Sequence, residues 1–157
     1  MGRALAVGGA RSLGGAVAPK PAPRATSRRP VRILLVDDLS YVREALAELL
    51  RGAGYEVQAV GSGPAALVEL ERQGADVLLT DLYMPEMTGW DLVRAVRSRN
   101  VSSSRGVPLC VGLYSAVLSG FSREQLGRAQ VDFAVTKLSD PDAILDAIER
   151  ALAWSEA

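Results

Sequence analysis

Histidine is absent from the 157 residues, and cysteine occurs once, at Cys110. The two shortages exclude a Cys/His metal cluster and an internal disulfide. Inside the apolar stretch "PLCVGLY" the lone cysteine reads as a small core hydrophobe, and a reducing cytoplasm suits it. Lysine is nearly missing as well, with only Lys20 and Lys137 against sixteen arginines. No apolar run approaches the roughly 18 residues needed to span a bilayer, so no membrane partner is expected. "SRRPVRILLVDD" carries an arginine pair, but the apolar core before the two aspartates is too short for an export signal. A GxxxxGK[ST] phosphate loop and internal repeats are also wanting, and "GSGPAA" at 61–66 is a turn before Pro64 rather than a glycine-rich fingerprint.

With 48% apolar residues the chain can bury a proper core, and its length suits one ordinary domain plus a tail, without room for a second output-type domain. Charge divides the two parts. Residues 1–36 hold seven basic residues and no acidic one, whereas residues 37–157 hold 11 basic and 18 acidic, net −7. An acidic folded part argues against nucleic acid as its partner. The tail, residues 1–30, is built from Gly, Ala, Pro, Ser and Arg without sustained helical period, which predicts disorder.

From residue 31 the pattern is regular. Strand-length apolar runs recur at 31–36, 56–60, 76–80, 108–114 and 132–136. Amphipathic stretches separate them. Val42, Ala45, Leu46, Leu49 and Leu50 form one stripe, closed by "GAG" at 52–54. Pro64 opens the next helix, with Ala66, Leu67 and Leu70 inward, and Leu92, Val93 and Val96 mark a third. The fourth, around "SGFSREQLGRAQ", is glycine-interrupted with Ser122 as N-cap. The last starts with Asp140 as N-cap and Pro141 at N1, and buries Ile144, Leu145, Ile148 and Leu152.

Five strands alternating with five helices predict an α/β, doubly wound parallel sheet with helices on both faces. Ligand sites in such sheets lie beyond the carboxyl ends of the strands. Those ends carry Asp37 and Asp38, Asp81, Ser115 and Lys137. Three crowded carboxylates either raise a pKa or recruit a cation, and Mg²⁺ suits one or two direct carboxylates, waters and a phosphate. An anion with tetrahedral oxygens would meet that cation on one side and the Ser115 hydroxyl and Lys137 ammonium on the other. Taken singly, an aspartate pair after a strand is also a common helix N-cap region, and a strand-end serine a common turn residue. Lysine at 137, among ten arginines in the domain, points to a site that needs a compact charge on a flexible stem.

The segments "ILLVDDLSYVREAL", "TDLYMPEMTGWDL", "YSA" at 114–116 and "VTK" at 135–137 together resemble the receiver domain of two-component response regulators, above all its single-domain, chemotaxis-type members. "DLYMPEMTG" is similar to the family's D-x-x-M-P-x-M-x-G loop, and the 22-residue interval from Ser115 to Lys137 is typical of it. The resemblance covers residues 31–155 and implies a flavodoxin-like sheet of order 2-1-3-4-5. It implies that Asp81 is the phosphoacceptor and that Mg²⁺ is held by Asp37, Asp38, Asp81 and the Tyr83 backbone carbonyl. Ser115 and Lys137 would engage the phosphoryl oxygens. The protein would be a cytoplasmic phosphoacceptor rather than an enzyme. Without histidine it cannot donate to itself, so a histidine kinase or histidine phosphotransfer protein would supply the group, and a downstream protein target would read the change by contact.

Two positions depart from the family pattern. Leu138 follows the lysine where proline is usual, which predicts a trans peptide bond, because a non-proline cis bond costs about 2.5–4 kcal/mol. Ala134 stands where an aromatic switch is usual, and Phe133 beside it should face the other way. These losses keep open a receiver-like interaction module that is never phosphorylated. A dehalogenase-type phosphatase is disfavoured, because it needs an acid two residues after the nucleophile, where Tyr83 stands.

Overall fold

Side chains alternate across a strand, so a sheet that is covered on both faces needs apolar residues at every position. β3 (Val77–Asp81) and β4 (Cys110–Ser115) are buried along their whole length, and β1 (Arg32–Val36) at all but its first residue. The computed structural model describes residues 29–116, 121–137 and 139–155, so the basic tail through residue 28 and Leu138, with the peptide bond that leads into it, lie outside the described residues. With β2 (Glu56–Val60) and β5 (Phe133–Thr136) these strands form one parallel sheet in the order β2-β1-β3-β4-β5. That is the order the resemblance implied.

The two pleat parities build two cores. Ile33, Leu35, Val77, Leu79, Tyr114 and Val135 pack with α1 (Ser40–Gly52) and α5 (Pro141–Ser155) through Leu46, Leu50, Ile144 and Ile148. Leu34, Val36, Leu78, Val111 and Leu113 pack on the opposite face with α2 (Gly63–Arg72) and α3 (Gly89–Ser98) through Ala66, Leu70, Leu92 and Val96. Phe133 joins the first core and Ala134 the second, so they point to opposite faces as expected. Gly112 makes room for Phe133, because a Cβ there would overlap the aromatic ring.

Helix ends follow local chemistry. Gly54, at φ 96°, closes α1: its N–H donates to Arg51 O (3.0 Å), and the Tyr55 N–H donates to Leu50 O (3.2 Å). Ser62 caps α2 by accepting from the Ala65 N–H, and Thr88 with Asp91 forms a capping box on α3. Ser122 caps α4 (Arg123–Arg128) in the same way with Gln125, while Asp140 Oδ1 accepts from the Asp142 N–H at the start of α5. α4 is only six residues long and fully buries none of its side chains, as befits a helix with a glycine at 127 and a single large apolar residue, Leu126.

Four strand starts shift inward from the expected ranges, β1 by the single residue Val31 and the other three because a polar residue or proline stands outside the ladder. The Asp76 carboxylate, almost fully buried, accepts from the Arg32 N–H (2.8 Å) and both terminal nitrogens of Arg29 (3.2 and 3.3 Å) instead of opening β3. Pro108 sits in an isolated antiparallel bridge with Ser102, so β4 begins at Cys110. Asp132 accepts from the Val111 N–H (2.7 Å), and β5 begins after it. At their carboxyl ends, β3 and β4 run through to Asp81 and Ser115 themselves.

Ile148 is fully buried between α5 and the sheet. Ile148→Ala is expected to lower unfolding free energy by about 2–5 kcal/mol, read as a reduced urea midpoint with an unchanged slope.

Candidate functional site

The carboxyl edge of the sheet collects its polar residues by parity. Asp37, Asp81 and Lys137 each continue the pleat that faces α1 and α5, since Leu35, Leu79 and Val135 two residues earlier belong to that core. Backbone bonds hold the strand ends in line. The Asp37 N–H donates to Val60 O (3.2 Å), and the Lys137 N–H donates to Ser115 O (2.8 Å), which sets the fourth and fifth strand ends side by side.

Lys137 Nζ lies 2.9 Å from Asp37 Oδ2 and 3.2 Å from Asp81 Oδ2, bridging two buried carboxylates. One ligand oxygen from each of Asp37, Asp38 and Asp81 lies within 4.8 Å of the others. Asp37 is fully buried; apart from the lysine ammonium, its Oδ2 has no hydrogen-bond partner among the described residues. Its Oδ1 accepts from the Leu39 N–H (3.0 Å). The N-cap of α1 is Leu39, with no side-chain cap bond, so neither aspartate is the capping residue; Asp37 holds the N-cap amide with Oδ1 alone and keeps Oδ2 for the pocket. Asp81 Oδ1 accepts from the Leu82 N–H (2.8 Å), leaving Oδ2 toward the lysine.

Electrostatics follow from burial. Loss of water raises the Asp81 carboxyl above its usual range; Lys137 draws it back, and Asp37 pushes it further up. Burial works against the Lys137 charge, but hydrogen bonding and attraction from Asp37 and Asp81 outweigh it, and the ammonium is held above its usual range. The same ammonium lies 5.6 Å from the centroid of the Tyr114 ring. Ser115 ends β4 and is fully buried beside this cluster.

The loop after Asp81 owes its shape to three residues of the "DLYMPEMTG" segment. Gly89 opens α3 against the backbone of Asp81 and Leu82: its N–H donates to Leu82 O (2.8 Å), and a Cβ there would lie 2.9 Å from Leu82 Cα. Met84 is buried in the α2–α3 core, and Met87 packs against Gly63, where a Cβ would come 2.8 Å from its Cγ. Between them the Met87 N–H donates to Pro85 O (2.7 Å) around Glu86, which takes φ 68°, a tight and strained turn. Tyr83 is exposed, with its side chain away from the core.

Arg43 contributes something that its position in the sequence did not reveal. Its Nη1 donates to Asp37 O (2.6 Å) and packs over Gly61, clamping the β1–α1 turn that carries both acids. Only an arginine one turn into α1, four residues after the N-cap, hinted at it.

The donor set fits a small hard divalent cation. Three carboxylates converge, one buried oxygen is answered only by an ammonium, and no nitrogen or sulfur ligand intrudes among the described residues.

Comparison with known proteins places this geometry. Residues 33–149 match the family model of the response regulator receiver domain. The sensory transduction protein RegX3 of Mycolicibacterium smegmatis is 46% identical over 68 residues, which are 43% of this chain and 30% of that protein. The two-component response regulator ORR11 of Oryza sativa subsp. indica is 36% identical over 88 residues, 50% of this chain and 60% of that protein. This chain therefore matches less than two thirds of the length of these relatives. Among solved structures, the chemotaxis protein CheY4 of Vibrio cholerae superposes with a TM-score of 0.70 at 25% identity, over 78% of this chain and 99% of that one.

Two outcomes follow from the geometry. The Asp81 carboxyl is raised in the folded state above its ordinary 3.8, so its ionisation costs stability as pH rises through the folded value, and the cost persists above it. Asp81→Asn is expected to raise the denaturation midpoint near neutral pH, with the gain fading as pH falls from the raised folded value to the ordinary aspartate value and absent below it; a variant less stable than wild type at neutral pH would contradict the assignment. Gly89→Ala forces a methyl into the Asp81–Leu82 backbone. It is expected to cost about 1–3 kcal/mol, as overpacking does, and to shift the Asp81 and Leu82 amide resonances.

Proposed function

Because the chain belongs to the response regulator receiver domain family, whose standard role is to accept a phosphoryl group in two-component signalling, we propose that Asp81 is the acceptor and that Lys137 and Ser115 complete its site. The observation that carries this reading is one ammonium, at the end of β5, lying within 3.2 Å of both Asp37 at the end of β1 and Asp81 at the end of β3.

The chemistry follows from the groups. A carboxylate oxygen of Asp81 attacks the phosphorus of a phosphohistidine; the O–P bond forms, the P–N bond breaks, and the imidazole leaves to take up a proton, giving an acyl phosphate. Phosphoryl transfer has a loose transition state whose charge sits on the equatorial oxygens, so positioning and charge neutralisation supply the rate. Lys137 shifts from carboxylate toward phosphoryl oxygen with its charge intact, since its ammonium is held above the usual range. The Ser115 hydroxyl donates to a second oxygen. Leu82 fixes the rotamer of Asp81 through its N–H. Mg²⁺ held by Asp37, Asp38, Asp81 and the Tyr83 carbonyl supplies the remaining neutralisation when bound.

A chain without histidine takes the phosphoryl group from a histidine kinase or a histidine phosphotransfer protein. Its output is an altered contact with a downstream protein, in the cytoplasm. No helix among the described residues is long and apolar enough to cross a membrane. A phosphorylation-independent interaction module is the second reading, favoured by the methyl of Ala134 in place of an aromatic ring.

Incubation with Mg²⁺ and acetyl phosphate tests the choice. Intact-mass analysis is expected to show a gain of about 80 Da, one phosphoryl group, that Asp81→Asn and omission of Mg²⁺ both abolish. An unmodified wild-type chain that still binds its partner would establish the module instead.

A further inference from the structure

Charge is segregated within the folded region. Residues 89–132 hold six arginines and three acids, net +3, whereas the rest of residues 37–157 holds five basic and fifteen acidic residues, net −10. Three of those six arginines, Arg94, Arg97 and Arg128, line one groove of about 650 Å³ between α3 and α4, and no carboxylate lines it among the described residues. The volume is in the range of small-molecule sites.

The three arginines are not equivalent. Arg97 is structural: it donates to Gln130 O, to Leu109 O and to Asp132, tying the end of α3 to the starts of β4 and β5. Arg94 and Arg128 are each 78% exposed and meet only surface acids, Asp91 at 3.8 Å and Glu124 at 2.6 Å. Such exposed pairs hold weakly and are readily exchanged for a stronger acceptor. A phosphate offers each guanidinium a two-point contact.

An aromatic side chain lines the groove as well. Trp90, half-buried, is braced edge-on by Phe121 with centroids 5.3 Å apart and planes at 66°. Gln125 lines the same groove, and its carboxamide oxygen is occupied by the Ser122 N–H, which leaves its amino group to donate. A flat ring, two available guanidiniums and an amide donor match an aromatic base carrying a phosphate.

We propose that the α3–α4 groove binds a nucleotide, its phosphates on Arg94 and Arg128 and its base against Trp90. A protein partner fits less well. Protein interfaces draw their affinity from large apolar anchors, and the exposed large hydrophobics among the described residues, Leu39, Tyr41, Val68, Tyr83 and Trp154, all lie outside this groove. The site is separate from the acidic pocket and does not depend on phosphorylation of Asp81.

Titration calorimetry of ADP into the full chain, in EDTA so that no divalent ion can recruit phosphate to the acidic pocket, tests this. ADP is expected to bind with Kd below about 1 mM. Adenosine and pyrophosphate are each expected to bind at least about tenfold more weakly, as separated halves of one ligand do. Arg94→Gln with Arg128→Gln is expected to weaken ADP by at least about tenfold while leaving the thermal melt unchanged. Absence of ADP binding at millimolar concentration, equal affinity for pyrophosphate, or undiminished affinity in the double variant would each overturn the proposal.

Discussion

Everything at the carboxyl edge of the sheet depends on one ammonium balancing buried carboxylates. Asp37 is fully buried and Asp81 nearly so, and two such charges without a counterion would carry an uncompensated desolvation cost. Lys137 prevents this by approaching both. Its charge is compact and its stem flexible, which suits a role in which the partner changes. A guanidinium, planar and geared to two-point contact, would commit itself to one carboxylate. In a folded region otherwise furnished with arginine, the choice of lysine has a physical reason.

That balance in turn requires a particular sheet. Only in the order β2-β1-β3-β4-β5 does β3 lie between the strand that bears the acid pair and the strand that bears Ser115, with Lys137 one strand further on. Parity does the rest, because Asp37, Asp81 and Lys137 continue the same pleat and Ser115 the other. A one-residue slip of β5 would turn the ammonium to the wrong face. The register is pinned at both ends of β5, by Asp132 accepting from Val111 and by the Lys137 N–H donating to Ser115.

The fold, and the convergence of Asp37, Asp38, Asp81 and Lys137 at one edge of the sheet, were largely readable from the residues, because each of those strands is a short apolar run that stops at a polar residue. Helix caps at Ser122 and Asp140 were readable for the same local reason. Strand starts were not. Asp76, Pro108 and Asp132 sit next to apolar residues and look like parts of strands, but the two carboxylates serve tertiary bonds to Arg32, Arg29 and Val111 that no local pattern encodes, and Pro108, which has no N–H to offer the ladder, lies in a bridge with Ser102. The role of Arg43 was equally opaque, since its spacing places it on α1 but only the folded turn brings the Asp37 carbonyl to it. Nor did the aspartate pair reveal by itself that neither member is the N-cap residue. That became clear only from the helix taking Leu39, one residue beyond the pair, as its N-cap.

The same parity bears on how a change at Asp81 reaches the outer helices. Ser115 continues the face on which Leu113 and Ala134 lie in register, and the methyl of Ala134 offers a moving hydroxyl little to push against. The ring on β5 belongs to Phe133, lodged over Gly112 on the far side of the sheet. Lys137 has a stiffer neighbour. Its ammonium lies by the Tyr114 ring, which packs in one core with Val135, Ile144 and Leu145. The ammonium that bridges Asp37 and Asp81 thus also touches a ring that shares its core with Ile144 and Leu145, so packing ties the acid pocket to α5.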